Sequence, residues 1–175
     1  VGSVGVQVAS NASCPAVVVR KAPSATAAKV VVGVDGSELS LAALDFAFDM
    51  ADRRGWSVVA VHAWEIPSYD VLASPSGPPP IDLEELAASE ERAFAESLAG
   101  LREQHPGVKV EQHIVKAPSV KAILDASDDA ALIVMGTRGR GEFLGAVLGS
   151  VSQGVLHRAK VPVAVIGSGD REDEG

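Results

Sequence analysis

Val30-Val31-Val32-Gly33-Val34-Asp35-Gly36-Ser37 decides the fold. Its first five residues form a β-branched run with one glycine, the pattern of a strand buried on both faces. Asp35-Gly36-Ser37 is turn chemistry. Leu41, Leu44, Phe48 and Ala51 then recur at helical spacing until Gly55 stops the helix. Strand, turn and returning helix are the opening unit of a parallel α/β sheet.

Downstream the same alternation repeats. Ser57 to Trp64, Val108 to Val115, Ala131 to Met135 and Pro162 to Ile166 read as further strands. Leu83, Ala87, Phe94, Leu98 and Leu101 mark one intervening helix. Its Glu84, Glu85, Glu90, Glu91 and Glu96 read as a solvated face. Pro118 suits the first position of a short helix with Val120, Ile123 and Leu124 inward. Val151 to Leu156 supplies one or two more helical turns. Glu65 to Ile81, rich in Pro, Ser and Gly, reads as a long exposed loop. Strands separated by helices imply right-handed crossovers and helices on both faces of the sheet.

Upstream, an internal repeat appears. Gly2-Ser3-Val4 lies over Gly149-Ser150-Val151 without a gap, and Val8 then meets Val155, Ala12 meets Ala159, Pro15 meets Pro162 and Val18 meets Val165. Both copies read as a Gly-Ser start, a short helix, a small-Pro corner and a Val-rich strand. The expected organisation is a remnant of a preceding homologous domain at 1–20, a linker at 21–28, the main domain at 29–168 and a polar tail at 169–175. Ala16 to Arg20 is expected to pair antiparallel with Val163 to Ile166, in the same chain or a neighbour's, because the last strand leaves an open edge.

Composition excludes several functions. The chain has 175 residues and a net charge of −8, so it lacks the basic face of a general nucleic-acid or anionic-membrane binder. Its single cysteine, Cys14, forms no disulfide framework and no cysteine metal cluster. No continuous apolar stretch is long enough to span a bilayer, and no basic, apolar leader is visible. The expected location is cytoplasmic. Asn11-Ala12-Ser13 fits a glycosylation sequon, which without an export signal reads as chance.

The chemistry falls after the fourth strand. Gly136, Gly139, Gly149 and Ser150 stand in a G-x2-G-x9-G-S spacing within residues 135–150. Glycines let backbone amides approach a ligand. Ser150-x-x-Gln153 fits a capping box, placing a helix start at Gly149-Ser150, and such a start attracts anions. Arg138, Arg140, Arg158 and Lys160 against Glu142 make the segment 136–160 locally basic. The competing reading of the glycines alone is a flexible surface loop before a capped helix.

With these residues in place, the chain resembles the universal stress protein family. The resemblance is carried by residues 30–37, by Val61-His62-Ala63, by Met135-Gly136-Thr137-Arg138-Gly139, and by Gly149-Ser150-Val151 with Val161-Pro162-Val163. It implies an open five-strand parallel sheet of order 3-2-1-4-5, the adenine nucleotide alpha hydrolase-like variant of the Rossmann-like folds. It also implies a ligand crevice where the strand order switches. The implied ligand is ATP or a related adenine nucleotide; whether Mg2+ accompanies it is left open by the sequence.

Carried over by residue, Asp35 meets the adenine or ribose and Gly33 and Val34 line that wall. Ala63 offers backbone contacts to the base, while Met135 and Gly136 border the ribose. Gly139, Gly149, Ser150 and Val151 meet the phosphates, with Arg138 and Arg140 as helpers. The resemblance further implies a homodimer, or a pseudo-dimer within one chain, through the last-strand edge.

The implied function is an ATP-binding stress-response module that is not an enzyme. Two alternatives stay open: a dimerising interaction domain without nucleotide, and slow hydrolysis or self-phosphorylation with Ser150, Ser152 or Thr137 as acceptor. No P-loop ending, nucleophile elbow or paired carboxylates are present. His62 reads as a packed strand-end residue, and His105, His113 and His157 lack metal-ligand spacing.

Overall fold

The computed structural model describes residues 3–65, 83–139 and 148–167. In chain order the elements are α1 (Ser3–Asn11), β1 (Ala16–Val18), β2 (Lys29–Gly33), α2 (Glu38–Arg54), β3 (Ser57–Trp64), α3 (Leu83–Gln104), β4 (Val110–Lys116), α4 (Ser119–Ala126), β5 (Leu132–Gly136), α5 (Ser150–Arg158) and β6 (Val163–Ile166). They build one six-stranded sheet of order β1-β6-β5-β2-β3-β4. The five strands from β2 onward are mutually parallel and reproduce the expected order. The sixth, β1, pairs antiparallel with β6: Ala16 faces Val165, Val17 faces Ala164 and Val18 faces Val163.

Burial on both faces explains the continuous apolar runs. Val30, Val32, Leu44, Phe48, Phe94 and Leu98 pack between the sheet and the α2–α3 side. Val31, Val59, Ile133, Ile123, Val155 and Leu156 pack on the opposite side, joined there by Ala9 of α1. Gly55 ends α2 in the left-handed conformation (φ 66°), its N–H donating to Ala51 O.

Local details differ from the sequence pattern. Leu41 is 40% exposed; the inward face of α2 is set by Ser40, Ala43, Leu44, Ala47, Phe48 and Ala51 instead. Pro118 is the N-cap of α4 rather than its first helical residue. Lys21 to Ala28 carry no helix or strand. The segment 66–82, nearly all of the expected loop, and the tail at 169–175 lie outside the described residues.

The repeat recognised in the sequence is a repeat of structure. Laid over each other as before, α1 and α5 are both nine residues long and coincide end to end, and β1 falls on the first three residues of β6. Arg20, just after β1, donates from Nη1 to His157 O (2.8 Å) in the last turn of α5.

Candidate functional site

β2 occupies the middle of the sheet, and the chain leaves it toward β3 on one side and returns to β5 on the other. The crossovers diverge there, opening a crevice at the carboxyl ends of the strands. That crevice holds a pocket with a volume of about 180 Å³.

The residues singled out in the sequence converge on it. Gly33, Val34 and Asp35 come from the end of β2, and Ala63 from β3. Met135, Gly136, Arg138 and Gly139 come from β5 and its exit, and Gly149, Ser150 and Val151 from the start of α5. Arg140 lies outside the described residues. Ser40, Val61, Ser119, Ile123 and Ser152 also line the pocket. Ser119 and Ile123 come from α4 and carry no local motif; the inward stripe of that helix hinted at Ile123 alone.

Asp35 is held by its own turn. Its Oδ1 accepts from Ser37 N–H (2.9 Å) and from the Ser37 hydroxyl (2.6 Å). Ser37 is in turn the N-cap of α2, accepting from Ser40 N–H. Ser40 Oγ donates to Ser37 O (2.9 Å) and accepts from Asp35 N–H (3.3 Å). This network fixes Asp35 where β2 gives way to α2.

The glycines are there for close approach. A Cβ on Gly139 would collide with Asp35 Oδ2, and one on Gly136 would lie 3.0 Å from the Leu39 carbonyl carbon and oxygen. One on Gly33 would meet Ile123 Cδ1 at 2.9 Å, the tip of a flexible side chain.

At α5 the expected capping box is not formed. Gly149, not Ser150, is the N-cap (φ −67°, ψ 154°), and as a glycine it brings no side-chain cap of its own. The Gly149 amide itself donates to Thr137 O (2.7 Å), tying the helix tip to the end of β5, so it is not a ligand donor. The helical ladder begins with Gln153 N–H to Gly149 O (2.8 Å). The turn 150–152 therefore brings the positive end of the helix to the pocket wall.

The basic segment also divides. Arg138 lines the pocket, whereas Arg158 and Lys160 line a separate groove with Lys21, Asp125, Asp128 and Asp129. The nine residues of α5, about 13 Å of helix, separate the two ends. Of the serine and threonine acceptors considered, Ser152 donates its hydroxyl to Gly136 O (2.7 Å). Thr137 is buried and does not line the pocket. Ser150 does line it.

Among the described residues no group of three or more His, Cys, Asp or Glu could hold a metal ion. No helix there is long and apolar enough to cross a membrane.

An open α/β domain with its pocket at the strand-order switch is the class of protein these features define. The chain belongs to the universal stress protein family, whose model matches residues 27–167. It is 39% identical over 168 residues to Universal stress protein Rv2005c of Mycobacterium tuberculosis, an alignment covering 94% of this chain and 55% of that protein. Universal stress protein Rv2623 of the same organism is 37% identical, with 94% and 54% covered. The chain thus spans about half the length of these curated relatives.

Among solved structures, a universal stress protein from Archaeoglobus fulgidus superposes with a TM-score of 0.64 at 27% identity, covering 98% of this chain and 56% of that one. A universal stress protein in complex with cAMP superposes with a TM-score of 0.57 at 25% identity, covering 79% and 96%.

Proposed function

We propose that this chain is an adenine-nucleotide-binding regulatory domain of a cytoplasmic stress-response protein, with ATP as its ligand. The observation that carries this is the convergence of three strand ends and a helix start, far apart in sequence, on one pocket. The relative in complex with cAMP supports an adenine nucleotide as the class of ligand. Gly33, Val61, Ala63 and Ile123 offer an apolar slot for a flat base. The amides of the α5 start and Arg138 offer donors for phosphates.

Each charge-assisted bond to phosphate contributes roughly 1.5–3 kcal/mol net, so three or four give about micromolar binding after ordering costs. Mg2+ fits as an ion carried by the nucleotide phosphates, because Asp35 is the one carboxylate on the described wall. It would neutralise phosphate charge there.

The proposed role is binding rather than turnover. A second homologous domain is the proposed partner across the β1–β6 edge.

Titration calorimetry with ATP tests the reading. Binding in the micromolar range is expected, and no heat and no thermal shift at millimolar ATP would overturn it.

A further inference from the structure

Parallel strands exchange hydrogen bonds in a fixed alternation, and β2 and β3 keep it almost to the rim. Ser57 N–H donates to Ala28 O (3.0 Å) at one end and Val34 N–H to Val61 O (2.9 Å) at the other. With Gly33 in register with Val61, the next rung should run from Ala63 N–H to Val34 O. Among the bonds of the described residues that rung is absent. Val34 O instead accepts from His62 Nδ1–H at 2.8 Å. A side chain has taken the acceptor that the ladder would have used.

His62 is buried, and three contacts determine its ring. A carbonyl only accepts, so Nδ1 carries a hydrogen. Nε2 lies 2.8 Å from Glu90 Oε2 on α3. The ring also stacks on Phe94 of α3, centroids 5.5 Å apart and planes at 26°. Helix α3 therefore clamps the imidazole, and the imidazole engages the Val34 carbonyl.

Ala63 lines the pocket beside Val61 and Ile123, at the apolar end suited to a base. We infer that His62 is a positioning residue of this site: by engaging Val34 O it keeps the Ala63 amide available to an acceptor nitrogen on a purine. Glu90 and Phe94 keep the ring in that role. The inference rests on reading the pocket as an adenine-nucleotide site.

The experiment compares the protein with its His62→Phe, Glu90→Ala and Glu90→Gln variants, using ATP and inorganic tripolyphosphate as calorimetric probes. Exchange of the Ala63 amide is followed by NMR. In His62→Phe the rung to Val34 O closes. Ala63 exchange then slows without ligand, and ATP affinity falls roughly three- to tenfold, the worth of one hydrogen bond. Tripolyphosphate affinity stays the same. In Glu90→Gln the introduced side-chain amide can donate to Nε2 while Nδ1–H stays on Val34 O, so this variant should recover affinity that Glu90→Ala loses. This pair decides the matter if His62→Phe does not fold.

Unchanged ATP affinity in His62→Phe, or equal losses in both Glu90 variants, would overturn the role of His62. So would an Ala63 amide already protected in the free protein. Failure of the unaltered protein to bind ATP would instead overturn the reading of the pocket, while Ala63 exchange would still report the hold of His62 on Val34.

Discussion

Val17 and Ala164 lie directly opposite each other in the β1–β6 pair, and they are also equivalent residues of the internal repeat. Pairing equivalent positions face to face is what a local two-fold axis between two related units produces. Burial follows the same logic. Val8, Val17 and Val19 are 59%, 51% and 62% exposed, whereas their counterparts Val155, Ala164 and Ile166 are 0%, 0% and 7% exposed. The second copy rests in a complete domain. The first presents the same apolar positions to solvent.

Removing residues 1–20 should therefore uncover the edge of β6 and replace β1 with a second chain. The expected product is a dimer whose two β6 strands pair with Ala164 opposite Ala164. Light scattering reads its mass, and a strictly monomeric product at high micromolar concentration would count against the two-fold.

Gly139→Val should weaken ATP binding at least about tenfold, roughly 1.4 kcal/mol, because its side chain would displace the Asp35 carboxylate. Calorimetry with ATP and a melting curve together check it. Lost stability with intact affinity would contradict the assignment of Asp35 and Gly139 to the ligand wall.

Gly136→Ala and Gly33→Ala add the same methyl group with different expected costs. At Gly136 the new atom meets Leu39 backbone, so α2 must shift, at about 1–3 kcal/mol for overpacking. At Gly33 it meets the tip of Ile123, which can rotate away. Chemical denaturation should show the first variant clearly less stable than the second.

Glu111 supplies a pH prediction. The hydrogen bond from His113 (2.7 Å), and then the charge on that ring, hold its carboxyl below the ordinary value. A depressed folded value means that the stabilisation is present at neutral pH and is lost as pH falls through the Glu111 titration. In His113→Ala the Glu111 midpoint should move up toward the usual carboxylate range in an NMR titration. An unmoved midpoint would show that His113 is not the cause.

The sheet was legible because burial on both faces writes itself into continuous runs such as Val30 to Val34, which local reading can see. The pocket wall was legible where backbone must come close, since Gly136 and Gly139 are needed for lack of a side chain. The helix start at Ser150 was read correctly but not its cap. Whether Gly149 or Ser150 caps depends on where the backbone turns into the helix, and both residue types serve. The basic segment was misread as one patch because sequence proximity hides the length of α5 between Arg138 and Arg158. Ser119 and Ile123 reach the pocket only through the packing of α4, and the diversion of Val34 O by His62 exists only once β2 and β3 lie side by side.

Arg20 grips the far end of the helix whose near end faces the pocket. Nine helical residues make a stiff rod, so load applied at the guanidinium is transmitted along the axis rather than absorbed. Any displacement of α5 along its axis would be carried to Arg20, just after β1.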